Sequence, residues 1–474
     1  MNMRRIIAVA ALLLLGGGSG AVAGPNHADF ITGPFKTGPE VTKKCLECHD
    51  KAAKDFMKGV HWTWSKVQVV NGRKVELGKK NALNNFCIGL PSNWPRCTSC
   101  HAGYGWKDAH FDFSKAENID CLVCHETTGK YKKFPAGAGN PVYVGEKKEF
   151  PKGNVWQPAD LLKAAQSVGM PTRSSCGTCH FFGGGGDHIK HGDLDSSLIN
   201  PTPDIDVHMG GKAKMTCVSC HKGEGHAIKG EALSVSAGTG TRTLSCTNCH
   251  KAAPHKNAMY NKHAKRIACQ TCHIPVFAKA LPTKVWWDWS AAGNEQKEKE
   301  GKKDQYGMKL YDKMKGDFRW AKDVVPTYYW FDGKVTRYLA GDKIDPTKVV
   351  QLSAPQGSRK DPNAKIMPFK VMRGKQAYDS GNDTIAFVNV FGPPSSETAY
   401  WVKYDWNKAI AAGMKAAGQP YSGKYGFVET SMVWSVNHMV SPKEKALKCN
   451  DCHSAQGRLD WKALGYAGDP MKKK

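Results

Sequence analysis

The sequence predicts a mainly α chain with extensive loops, folded around a core that bound groups supply in place of side chains. Two observations predict this. Sixteen of the 17 cysteines fall in eight copies of Cys-x-x-Cys-His, where chance placement of this composition gives roughly 0.02 copies. The motif starts are separated by 52, 24, 55, 41, 29, 23 and 180 residues, and the segments of 23 to 55 residues cannot each bury a hydrophobic core. The apolar fraction of 41% and the aromatic fraction of 10% exclude a disordered chain.

The motif has a chemical reason. Two thiols three residues apart reach the two vinyl carbons of one porphyrin, and the following histidine lies beneath its iron. The copies are Cys45, Cys48, His49; Cys97, Cys100, His101; Cys121, Cys124, His125; and Cys176, Cys179, His180. They continue with Cys217, Cys220, His221; Cys246, Cys249, His250; Cys269, Cys272, His273; and Cys449, Cys452, His453. This is the pattern of a multihaem cytochrome c, its core built around eight stacked, covalently bound haem c groups. Ten of the 18 histidines lie outside the motifs. His61, His110, His191, His208, His226, His255, His263 and His438 are the candidate distal ligands for about seven irons. His27 is set aside because it lies three residues past the expected mature start. His188, beside a four-glycine run, competes with His191. Asp187 and Asp193 flank that pair, where either orients an imidazole or caps a turn.

Residues 1–23 read as a secretory signal: Arg4 and Arg5, the apolar run Ile6 to Leu15, and the cleavage pattern Ala21-Val22-Ala23. The expected location is therefore periplasmic or extracellular. The formal charge is +26, and loss of Arg4 and Arg5 leaves +24. Sixteen propionates on eight haems would balance part of that excess. The remainder favours anionic substrates or acidic partners rather than nucleic acid. Residues 24–275 form a seven-haem region. Residues 276–395 form a cysteine-free, Trp-rich excursion packed on the haem core, with irregular surface structure from about Gly333 to Gly374. Residues 396–474 form a helical segment carrying the eighth motif, with Trp401, Trp406, Ile410 and Met414 at helical spacing.

Two segments are more specific than the motif count. KAAQSVGMPTRSSCGTCHFFGGGGDHIKHGDLDSSL (Lys163 to Leu198) and CQTCHIPVFAKALPTKVWWDW (Cys269 to Trp289) resemble the octahaem tetrathionate reductase family of c-type cytochromes, a relative of multihaem nitrite reductases and hydroxylamine oxidoreductases. The resemblance spans essentially the mature chain. It implies that the haem of Cys97, Cys100 and His101 is catalytic and that its iron is bound by a lysine, matched here to Lys163, with Lys152 as the alternative. It also implies that Cys87, the one cysteine outside the motifs, lies near that haem. The implied activity is tetrathionate reduction, with nitrite or hydroxylamine as further substrates. A quinol-linked or small cytochrome c would supply electrons, and a homo-oligomer is compatible with the sequence. The competing reading is a non-catalytic electron conduit. Hydroxylamine oxidation would need a haem-linked tyrosine, and nothing marks Tyr421 or Tyr425 for that role.

Overall fold

A computed structural model describes residues 26–86, 88–230 and 244–472. The expected signal segment and Cys87 lie outside the described residues. The described residues of 26–273 are short helical turns and loops with three small two-stranded hairpins, the longest pairing Lys66–Val70 with Arg73–Leu77, and their longest helix is Gly38–Leu46, of nine residues. Such helices are too short to be stable alone, since about 12–15 residues are needed. The motifs themselves form many of the turns, including Leu122–His125, Arg173–His180, Cys217–Cys220 and Cys269–His273. Local sequence starts several of them. Thr172 and Ser175 cap each other's backbone reciprocally, as do Thr216 and Ser219. The residue just before or inside the motif is therefore also the helix start signal.

The cysteine-free stretch folds differently. It holds an eight-stranded sheet, with β1 (Thr283–Asp288), β2 (Tyr311–Asp312), β3 (Gly316–Ala321), β4 (Thr327–Phe331), β5 (Val350–Gln351), β6 (Lys365–Asp379), β7 (Thr384–Ile385) and β8 (Tyr425–Ser435). The order is β5-β8-β6-β1-β3-β2, with β4 and β7 also paired to β6. The expectation of irregular surface structure up to Gly374 is corrected here, because β6 is the longest strand and crosses the middle of the sheet. Both of its faces are covered, so its sequence lacks the alternation that marks a half-exposed strand. Lys370 and Gln376 are each 1% exposed, and Asp379 is fully buried. Pro368 falls where β6 changes partner from β4 to β8.

The helix Trp406–Ala416, capped by Asp405 on the Lys408 amide, buries Trp406, Ile410 and Met414 against the sheet. The expected helical spacing is realised there, but the chain returns to strand at β8 before the last motif. Gly413 is required by the packing, since a Cβ would fall 2.4 Å from the Phe387 carbonyl oxygen. The largest side-chain core sits on this sheet and includes Trp287, Trp289, Met372, Met432 and Trp434. It also takes in Leu83, Phe86 and Ile88 from the loop before the second motif. Among the described residues no helix is long and apolar enough to cross a membrane.

Candidate haem sites and the second motif

A continuous cavity of about 4570 Å³ runs through the molecule, walled by residues of the first seven motifs. A pocket for one drug-sized ligand takes roughly 300–1,000 Å³, so this space suits several large groups side by side. The eighth motif packs apart from it, where Cys452 and Trp461 meet Trp330, Leu459 and Leu464.

Around the motifs, imidazoles are paired across a constant gap. His49 faces His27, His125 faces His226, His180 faces His61, and His221 faces His438. His250 faces His208, His273 faces His255, and His453 faces His263. The ring centroids are 6.1–6.3 Å apart in all seven. Two metal–imidazole bonds of about 2 Å each plus the two ring radii span that distance, so the residues fit an iron between each pair. Binding also needs neutral imidazoles, and burial lowers His61 and brings His180 down to about 3. Several rings are aimed by their other nitrogen. His125 Nδ1 meets the Gly169 carbonyl at 2.9 Å, and His221 Nδ1 the Lys229 carbonyl at 2.9 Å. His438 Nδ1 lies 3.3 Å from Asp193, and His453 Nδ1 lies 2.6 Å from Asp469. Asp187 instead accepts from Ser196.

The pairs differ from expectation at three positions. His27, set aside for its place in the chain, faces His49; no local sequence signal marks it. His110 is exposed and its amide bonds Asp108. His191 is buried on the cavity wall 5.1 Å from the Trp434 ring, with no imidazole opposite among the described residues, and burial lowers its pKa well below the usual histidine range. His188 Nδ1 contacts the Pro282 carbonyl.

The motifs also touch one another. The Cys45 side chain lies beside Cys121, Cys100 beside Cys179, Cys176 beside Cys217, and Cys246 beside Cys269. Cys124 is within electrostatic reach of Cys176, Cys220 of Cys249, and Cys272 of Cys449 and Cys452. These contacts order the motifs first, third, fourth, fifth, sixth, seventh, eighth. The second branches off at the fourth.

The second motif is the exception in a further respect. His101 was expected beneath its iron, but it is fully buried and its Nε2 lies 2.7 Å from the Trp62 carbonyl oxygen. Trp62, Trp64, Trp106, Phe111 and Phe113 surround the ring at 4.8–6.1 Å. That cage takes the atom that would bind iron and turns the ring off the cavity wall. Lys133 anchors the same turn by donating to the His101 and Gly103 carbonyls and pairing with Asp120 at 3.0 Å. Lys163, matched to the iron from sequence, is exposed on the helix Leu161–Gln166 and is not on the cavity wall. It faces outward because Leu161, Ala164 and Ala165 are the residues that turn that helix inward. Lys152 does line the cavity. It sits in the loop between the strands Lys148–Glu149 and Val155–Trp156. The Arg96 guanidinium, next to Cys97, stacks 4.9 Å from the Phe150 ring of that loop.

Comparison with known proteins agrees with this architecture. Residues 284–456 match the family model described as bacterial cytochrome c. An uncharacterized protein of Archaeoglobus fulgidus is 27% identical over 229 residues, 40% of this chain and 74% of that one. The crystal structure of octaheme cytochrome c from Shewanella oneidensis is similar at 49% identity and a TM-score of 0.86, covering 95% of this chain and 98% of that chain. A covalent haem c cytochrome for electron transfer follows from these matches and from the motifs, and the chain belongs to the octahaem c-type cytochromes.

Proposed function

We propose that the chain is an exported reductase holding eight haems, which takes electrons along the motif order above and delivers them at the second motif. The observation that carries this reading is the asymmetry of the imidazoles. Seven motifs have a ring on each side of an iron-sized gap, so the two rings of each pair would hold one iron between them, an arrangement that would suit electron transfer. Among the described residues the second motif has none, and its own histidine is occupied elsewhere. A haem bound through Cys97 and Cys100 would supply a redox centre able to meet a small molecule.

This chain's residues set the rest. We assign Lys152, in place of Lys163, as the lysine that holds that centre. An amine binds a metal through its nitrogen lone pair, and the loop that carries Lys152 lies on the cavity wall. The cage around His101 keeps its ring from competing. By resemblance the substrate is tetrathionate, whose central S–S bond takes two electrons and gives two thiosulfates, with no proton consumed. Electrons come from a quinol-linked or small cytochrome c partner.

The test is anaerobic stopped-flow: reduced holoprotein is mixed separately with tetrathionate, nitrite and hydroxylamine, and haem reoxidation is followed. Fast reoxidation by tetrathionate is the expected result. Reoxidation by none of the three would leave the chain as an electron conduit.

A further inference from the structure

One surface segment serves three motifs at once. Residues 246–263 carry the sixth motif, and the same segment supplies His255, which faces His273 of the seventh, and His263, which faces His453 of the eighth. The segment is tied down from behind. Asn261 closes its loop by accepting from the His255 amide at 3.0 Å and donating to the His255 carbonyl at 2.7 Å, and Asn257 caps the helix Ala258–His263. Arg266 donates to the Arg359 and Asp361 carbonyls, and Lys365 donates to the Ala264 carbonyl at 2.7 Å.

The outward side is basic and unpaired. Residues 232–287 contain no Asp or Glu. Lys251, Lys256, Lys262 and Lys265 are exposed, and none of the four has a carboxylate partner among the described residues. Elsewhere exposed lysines interleave with acids: Lys54 pairs with Asp50, Lys302 with Glu300 and Lys445 with Asp204. Between Lys256 and Lys262 two apolar side chains stand in solvent, Met259 at 53% exposure and Tyr260 at 38%. Methionine and tyrosine are enriched where proteins meet, inside a polar rim. Unpaired surface charge of one sign steers in a partner of the other.

We propose that this face, centred on the helix Ala258–His263, is where an acidic one-electron carrier protein docks, with Met259 and Tyr260 in the contact and the four lysines meeting its carboxylates. A carrier seated there lies against the segment that holds an axial imidazole for each of three motifs, and electron transfer weakens steeply with distance. Each encounter moves one electron. A carrier of the cytochrome class goes from ferrous to ferric, one ferric haem of this chain becomes ferrous, and no bond forms or breaks. A second copy of this chain would bring the same lysines, and like charge opposes that pairing. The inference rests on the imidazole pairs and not on what the second motif reduces, so it applies to a reductase and to a conduit alike.

The test uses the oxidised holoprotein with two small ferrous c-type cytochromes of similar potential as probes, one acidic and one basic. Zero-length carbodiimide coupling, mapped by peptide mass spectrometry, should join carboxylates of the acidic probe to Lys251, Lys256, Lys262 and Lys265 ahead of other lysines. In stopped-flow, the acidic probe should transfer electrons faster than the basic one, and its rate should fall as ionic strength rises. Combining Lys251→Glu, Lys256→Glu, Lys262→Glu and Lys265→Glu should slow the acidic probe about tenfold or more. Reoxidation of the dithionite-reduced variant by tetrathionate should stay within about twofold of wild type. Cross-links spread over the surface, or an acidic probe no faster than the basic one, would overturn the docking face. So would sedimentation showing two copies joined through this segment, or binding to phosphatidylglycerol vesicles that the acidic probe does not displace. Each of these outcomes leaves the reductase reading standing. Failure of tetrathionate to reoxidise wild type and variant alike removes that reading and leaves the face.

Discussion

Residues 26–273 and the sheet of residues 283–435 solve the same problem in opposite ways. The first region carries seven motifs and forms most of the wall of a cavity of about 4570 Å³, which the second region closes on one side. Its side-chain clusters are split, one around Ile31, Val41 and Trp62 and others around Phe181 and Trp64. The second carries no motif and builds the largest side-chain core, with Trp287, Phe387, Ile410 and Trp434 each at 2% exposure or less. Where motifs are dense, the chain leaves its interior to porphyrin. Where they stop, it pays for its own core with tryptophan and phenylalanine.

The largest effect that would break this contrast comes from withholding haem. In chain produced without haem attachment, hydrogen exchange should show protection retained in β1, β6 and β8 and lost across residues 26–273. Equal protection in both regions would mean that the first has a core of its own. Within the sheet, Trp287→Ala should destabilise by about 3–5 kcal/mol, since it empties a site 2% exposed. Thermal melts followed by circular dichroism check this.

Next in size is the contrast between two lysines. Lys152→Ala should cut turnover at least about 100-fold and change the spin state of one haem in electron paramagnetic resonance. Lys163→Ala, on an exposed helical face, should leave turnover within about twofold of wild type, as surface substitutions do. Loss of activity in Lys163→Ala with an intact Lys152→Ala would restore the assignment made from sequence.

That reversal shows what the sequence could and could not reveal. Haem attachment was legible because thioether chemistry fixes its spacing within five residues. The distal ligands are set by tertiary placement, so only the number needed could be reckoned. His61, His208, His226, His255, His263 and His438 were among the candidates. His27 was excluded by its place in the chain, although Asn26 caps a short turn that presents it to His49. His101 could not be read from its motif, because its displacement depends on a cage assembled from Trp62, Trp64, Trp106, Phe111 and Phe113, which lie from 39 residues before it to 12 after it. The sheet was missed for a related reason. β6 is buried on both faces and holds Lys370, whose amine donates to the Ile189 and Lys190 carbonyls and to Thr283. Neither alternation nor an apolar run survives in such a strand.

A smaller test addresses the pairs themselves. His27→Ala should convert one low-spin haem to high spin, and His110→Ala should leave the spectrum unchanged. Electron paramagnetic resonance of the oxidised protein reads both. An altered low-spin signal in His110→Ala would show that a residue exposed here reaches an iron.

The smallest expected effect is on potential, and it compares the axial rings of the eighth and fifth motifs. Asp469 lies 2.6 Å from His453 Nδ1. A carboxylate there draws the ring proton, makes the imidazole a stronger donor and favours ferric iron. Asp193 lies farther from His438 Nδ1, at 3.3 Å, and divides its charge by accepting the Asn437 and His438 amides at 2.8 and 3.1 Å. His125 and His221 have only neutral carbonyls. Spectropotentiometric titration of Asp469→Asn should therefore raise the lowest potential in the protein, and Asp193→Asn should raise a second by less. The eighth motif stands at the end of the contact order, apart from the shared cavity. A low potential there would make the step inward downhill for an arriving electron. If Asp469→Asn moved no potential, the gradient would have to come from burial alone, and the motifs enclosed in the cavity would set it.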